Sequence, residues 1–187
     1  MKQSTAITIA TGVAAAAIGS IFLYSRATRP PVINPAVPEP AKPVELARYV
    51  GKWFELARHE NRFQKGLDAV TAEYAADKDG RIRVTNSGWQ GGPQGTRSSI
   101  EGRAIVADET TTAKLKVSFF GPLYTGDYWV LDHGEEYDWS IVGEPGGRYL
   151  WVLSREAKPA PAVLEALLRR VEALGYDRWA LRITRHG

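Results

Sequence analysis

The chain has 187 residues, 44% of them hydrophobic and 24% charged, the balance of one folded domain with a tail. Its formal net charge of +3 is concentrated in residues 1–43, where Lys2, Arg26, Arg29 and Lys42 are set against Glu39 alone; the remainder is balanced, which argues against a cationic groove for nucleic acid. With no cysteine there is no disulfide, thiolate metal site or cysteine nucleophile, and His59, His133 and His186 lack ligand spacing, so no metal or other cofactor is expected.

Residues 5–24 form an uncharged run rich in Ala and Ile, with Lys2 before it and Arg26 after. About 20 apolar residues suffice to span a bilayer as a helix. Residues 1–27 are therefore expected to be a signal peptide, with Ser25-x-Ala27 as a small-residue cleavage site, or an uncleaved membrane anchor, which the length favours. Residues 28–43 hold six of the eleven prolines. Proline fixes φ and removes a donor, so this linker is expected to be an extended spacer with a reach on the order of 50 Å.

Residues 44–187 read as the folded domain. Its first strand, over 49–58, carries Gly51-x-Trp53. Alternation puts Trp53, Glu55, Ala57 and His59 on one face and Phe54, Leu56 and Arg58 on the other. A long loop with Arg62, Phe63 and Lys65 follows. Further strands are expected over 68–77, 81–89, 98–107, 113–120, 124–131, 137–143 and 149–155. Each lies close to its predecessor, with Asp77-Lys78-Asp79-Gly80 as a tight turn. This is the pattern of an up-and-down meander. Residues 162–174 differ: Leu164, Leu167, Leu168, Val171 and Leu174 follow the helical period, with Pro161 at the entry and Gly175 past the end. A short strand over 179–184 closes the domain. Gly91-Gly92 and Gly146-Gly147 lack the strand–loop–helix context of a phosphate-cradling loop, and no serine sits in a nucleophile-elbow pattern.

Four blocks carry a more specific signal. They are Gly51-Lys52-Trp53-Phe54-Glu55-Leu56-Ala57-Arg58, then Arg62-Phe63-x-Lys65-Gly66-Leu67, then Leu115-Lys116-Val117-Ser118-Phe119-Phe120-Gly121-Pro122, and Tyr149-Leu150-Trp151-Val152-Leu153-Ser154-Arg155. Together, in this order, they resemble the lipocalin family, and within it the bacterial outer-membrane subfamily, over residues 44–185. The resemblance implies an all-β fold: an eight-stranded antiparallel up-and-down barrel with one C-terminal α-helix packed outside, here preceded by an N-terminal hydrophobic helix. It implies a structural floor in which Gly51 turns the chain in, Trp53 closes the bottom and Arg155 packs across the indole. One departure is the turn after the sixth strand, where His133-Gly134 stands at a position the family usually fills with Asp. A second is the missing cysteine, since subfamily members are commonly acylated lipoproteins.

The implied function is binding, storage or transport of fatty acids or lysophospholipids in the bacterial cell envelope, in support of membrane maintenance, without catalysis. If Trp53 points inward, the expected ligand-binding set is Ala57, His59, Phe63, Val84, Leu115, Val117, Phe119, Tyr128, Val130 and Trp151, with Thr71 and Glu73 or their neighbours opposite the first strand. Arg62 and Lys65 would meet a headgroup. Two alternatives stay open: a lipocalin-fold enzyme using Glu55 with His59 or Tyr128, and a barrel filled by its own side chains. The expected location is periplasm-facing and membrane-associated, the inner membrane favoured by the anchor and the outer membrane by the resemblance. Whether the domain forms a homodimer is left open.

Overall fold

The structure, a computed structural model, describes residues 30–77 and 79–187. The apolar run at 5–24 lies outside these residues; among the described residues no helix is long and apolar enough to cross a membrane.

A single helical turn, α1 (Leu46–Tyr49), leads into β1 (Gly51–His59). There follow β2 (Leu67–Ala76), β3 (Ile82–Gln90), β4 (Thr96–Val106), β5 (Lys114–Ser118), β6 (Gly126–His133), β7 (Trp139–Gly143) and β8 (Leu150–Ser154). All pair antiparallel with their sequence neighbours, and β1 pairs with both β8 and β2, which closes the sheet into a barrel. A ninth strand, β9 (Leu181–Ile183), continues the sheet on the free side of β1. Along the β1–β2 ladder, closure leaves the eight-stranded cylinder without an open edge.

The closing ladder is short. β1 meets β2 only from Gly51↔Tyr74 to Phe54↔Thr71. Beyond that point the two strands diverge, and β9 pairs with β1 in place of β2. Lys52 and Phe54 lie opposite Glu73 and Thr71, whereas Trp53 lies opposite Ala72. The inward residues of β2 are therefore Ala72 and Tyr74, and Thr71 and Glu73 face out, as directly paired residues share a face.

Alternation in β1 fails at one place. The register against β8 shifts between Glu55 and Ala57, a β-bulge. Glu55 pairs with Leu153 and Arg58 with Trp151, both on the inner side, while Ala57 pairs with Val152 on the outer side. The expectation that Ala57 and His59 point inward is thus corrected: the extra residue turns the upper part of the strand over.

Two apolar clusters result. The inner one gathers Trp53, Tyr74, Val84, Leu115, Val130, Val142 and Leu153 inside the barrel. The outer one packs Leu131, Ile141, Leu150 and Val152 of the barrel wall against Leu167 and Val171 of α2 (Pro161–Ala173). Helix α2 starts with proline at its first position and ends in a Schellman arrangement, Tyr176 N–H donating to Val171 O and Gly175 N–H to Glu172 O, with Gly175 at φ +88°.

Residues 32–43 are not a free spacer. They hold no helix or strand, as their prolines require, yet Ile33 and Val37 pack into the outer cluster. Asn34 Nδ2 donates to Leu174 O at 2.9 Å, the N–H groups of Ile33 and Asn34 donate to Gly147 O, and Ala41 N–H donates to Leu131 O. Gly147, at φ +63°, has to be glycine, because a Cβ there would fall 1.7 Å from Asn34 O.

Candidate functional site

The closed end is built around Trp53, which is fully enclosed. Its Nε1–H donates to Tyr49 O at 2.8 Å. The guanidinium carbon of Arg155 lies 3.7 Å from the indole centroid. The same group donates to the backbone carbonyls of Lys52, Arg48, Tyr49, Val50 and Tyr137 at 2.8–3.2 Å. Gly51 takes φ +100°, and a Cβ there would approach Arg155 Nη1 to 3.3 Å, so conformation and space both ask for glycine. At the turn after β6 the His133 ring stacks on Tyr137 at 4.4 Å, His133 Nε2 lies 3.0 Å from Pro43 O, and Asp132 Oδ1 accepts from His133 N–H at 2.9 Å.

Above Trp53 the lower barrel is filled by its own side chains. Tyr49, Tyr74 and Tyr128 converge there, Tyr128 OH standing 2.8 Å from Tyr49 OH and 2.9 Å from Tyr74 OH, with Ser140 Oγ 3.1 Å from Tyr49 OH. Burial pushes the Tyr49 phenol up to about 12 and the Tyr74 and Tyr128 phenols well above their ordinary value, so all three are neutral donors at physiological pH. The void left at this level, lined by Leu46, Tyr49, Tyr74, Leu115, Val117 and Tyr128 among others, has room for about one water.

The upper barrel is different. One step nearer the mouth the inward residue of β2 is the small Ala72, while the places beside Gly102 and Gly126 are taken by the Phe119 ring and the Val117 side chain. Ala72, Asn86, Val117, Phe119 and Trp151 all keep partial exposure, although they stand on the concave wall. Exposure on an inner wall means open lumen. Val84, Leu115 and Val130 belong instead to the packed floor below it.

The mouth is partly covered by the loop after β1. Phe63, 58% exposed, leans on Tyr149 at 5.7 Å, and Tyr149 stacks on Trp151 at 5.8 Å. Gln64 Oε1 accepts from Trp151 Nε1 at 2.8 Å. The loop is pinned from beneath by Arg58, whose guanidinium donates to Gln64 O, Leu67 O and the carboxylates of Glu55 and Glu60. Glu55 is held in turn by Arg58 at 2.6 Å, by Gln64 Nε2 at 2.8 Å and by the Thr184 hydroxyl. Burial alone would lower the Arg58 pKa, but Glu55 and Glu60 outweigh it and hold the guanidinium charged. Outside the barrel, a groove of about 220 Å³ lies between Leu164, Pro159 and Ile183.

The sequence-predicted site residues therefore divide. Val117, Phe119, Tyr128 and Trp151 are brought together on the lumen wall, and Phe63 stands at its mouth. Ala57 sits in the outer cluster, and His59 pairs with Leu181 on that same side, with Nδ1 2.6 Å from Arg148 O. The Glu55–His59 acid–base pair does not converge, since the bulge separates the two onto opposite faces. The roles of Arg58, Gln64 and the tyrosine cluster were not read from the sequence. The inward alternation of Tyr74 and Tyr128 was the available signal.

A family model described as a lipocalin-like domain matches residues 44–186. The chain belongs to the lipocalin family. It is 40% identical over 145 residues to the outer membrane lipoprotein Blc of Vibrio cholerae, covering 75% of this chain and 84% of that one. It is 38% identical over 148 residues to temperature-induced lipocalin-1 of Arabidopsis thaliana, covering 74% and 77%. Among solved structures, insecticyanin of the tobacco hornworm Manduca sexta superposes with a TM-score of 0.65 at 20% identity, over 84% of this chain and 88% of that one, a likeness of fold.

Proposed function

We propose that this lipocalin binds a single-chain lipid, a fatty acid or lysophospholipid, in the upper lumen and stores or carries it in the bacterial cell envelope. Lipocalins as a family bind small hydrophobic molecules. The observation that carries the finer reading is the partial exposure of Ala72, Val117, Phe119 and Trp151 on the concave wall above a packed floor. Each CH₂ moved from water into such a space contributes about 0.8 kcal/mol, so an acyl tail needs no further chemistry to bind. The headgroup is left near Phe63, Arg62 and Lys65 at the mouth. Membrane attachment is assigned to the apolar run at 5–24, because the chain offers no cysteine for acylation; an inner-membrane anchor fits that assignment. The relatives named outer membrane lipoprotein support an envelope location.

Glu55, the only carboxylate the sequence offered for acid–base work, is occupied by Arg58, Gln64 and Thr184, which supports a binder rather than an enzyme. The test is native mass spectrometry of the purified chain with lipid extraction. Co-purified acyl lipid, and saturable quenching of tryptophan fluorescence on adding it back, are the expected results. A chain that carries no lipid and ignores added fatty acid would refute the carrier reading.

A further inference from the structure

Four hydroxyls meet under the lumen, those of Tyr49, Tyr74, Tyr128 and Ser140, and three hydrogen bonds link them. Each hydroxyl has one proton to donate, so four protons and three bonds leave one donor over. Tyr74 gives its proton to Tyr128. Tyr49 and Ser140 are enclosed, and an unpaired donor on either would be desolvated without return. The arrangement that avoids this runs from Ser140 to Tyr49 to Tyr128. It places the spare proton on Tyr128, the one member of the four that keeps partial exposure.

A second polar group on the wall is also unmatched. Asn86 Oδ1 is enclosed and has no hydrogen-bond partner. Its cross-strand neighbours are Ala72 and Ile100, whose side chains cannot donate. By alternation from Val84, which belongs to the inner cluster, Asn86 faces the lumen about 7 Å nearer the mouth. Apart from Glu55, Arg58 and Gln64, which are hydrogen-bonded to one another, the upper lumen is thus an apolar tube with one unused donor at its base and one unused acceptor set into its wall.

A plain hydrocarbon chain leaves both groups idle. A carboxylate is a poor match for the base, because the Arg155 guanidinium lies against Trp53 and is spent on five carbonyls. A neutral oxygen suits both positions, since a hydroxyl accepts from Tyr128 and donates to Asn86. We propose that the lumen selects acyl chains carrying a neutral oxygen substituent along the tail, read by Tyr128 at the base and by Asn86 on the wall. This rests on the carrier reading above and sharpens its ligand class.

The test compares octadecanoic acid with hydroxyoctadecanoic acids bearing the group at mid-chain or at the chain end, by titration calorimetry on lipid-stripped full-length protein. One hydroxy acid should bind about fivefold tighter than the parent acid, the worth of one neutral hydrogen bond. Tyr128→Phe should erase the advantage of an end hydroxyl, and Asn86→Leu that of a mid-chain one. Equal affinities across the series in the wild-type protein overturn the selectivity, as does an advantage that survives both substitutions. Failure of every acid to bind, octadecanoic acid included, refutes the carrier reading instead.

Discussion

Arg155 holds the barrel floor more through its hydrogen bonds than through its ring contact. A guanidinium over an indole contributes roughly 0.5–2 kcal/mol. Its donation to five carbonyls spread over residues 48–52 and 137 ties two segments of chain to one planar fork, which an ammonium cannot reproduce. Arg155→Lys should therefore lower stability by about 2 kcal/mol although the charge is kept. Trp53→Ala should cost about 3–5 kcal/mol, as for other large buried aromatics. Urea melts of both variants give the comparison, and wild-type stability in Arg155→Lys would assign the role to the ring contact alone. The sequence shows Trp53 and Arg155 through their family blocks, but not this fork, because Arg48, Tyr49 and Val50 come within its reach only once α1 has turned. Nor does it show the Glu55–Ala57 bulge: Leu56 and Ala57 are neither glycine nor proline, and nothing local marks the place where alternation stops.

Among the elements, the segment over 32–43 departs furthest from its sequence. Six prolines in residues 30–43 correctly exclude helix and sheet. Composition says nothing of where an extended chain lies, and here Ile33, Asn34 and Val37 bind the outer wall beside α2. A chain beginning at residue 44 should thus be less stable than one beginning at residue 30, with a thermal midpoint lower by several degrees, since about 1 kcal/mol moves it by roughly 2–4 °C at this size. Equal midpoints would return the segment to the status of a tether. The strands and α2, by contrast, were legible to within one or two residues, because alternation and the 3.6-residue stripe depend only on near neighbours. The tyrosine cluster was not legible: Tyr74 and Tyr128 lie on β2 and β6, and their meeting depends on the register of every strand between.

At the scale of the whole molecule, stability leans on a buried carboxylate. Asp68 is enclosed, accepts from Arg185 and Arg182, and so fastens the C-terminal segment across the gap between β1 and β2. Burial disfavours its charge, but the bonds and charges of Arg185 and Arg182 prevail and hold its carboxyl below the usual carboxylate range. A folded-state value below the unfolded one stabilises the protein above the unfolded value, about 3.9, and that stabilisation is lost as pH falls through the folded one. Wild-type stability should drop steeply below about pH 4. Asp68→Asn should be weaker at neutral pH and flatter in acid, and parallel acid profiles would exclude this role.

That fastening has a further consequence. β3 and β4 are paired at nine positions and β1 and β2 at four, so the cylinder is laced unevenly. Where β2 leaves β1 beyond Phe54 and β9 takes its place, the wall has a seam that can part while the rest keeps its shape. In deuterium exchange the amides of residues 181–185 should label well before those of β3 and β4, and sooner still in mild acid. A swelling of the tube to admit a wider tail would start along that line.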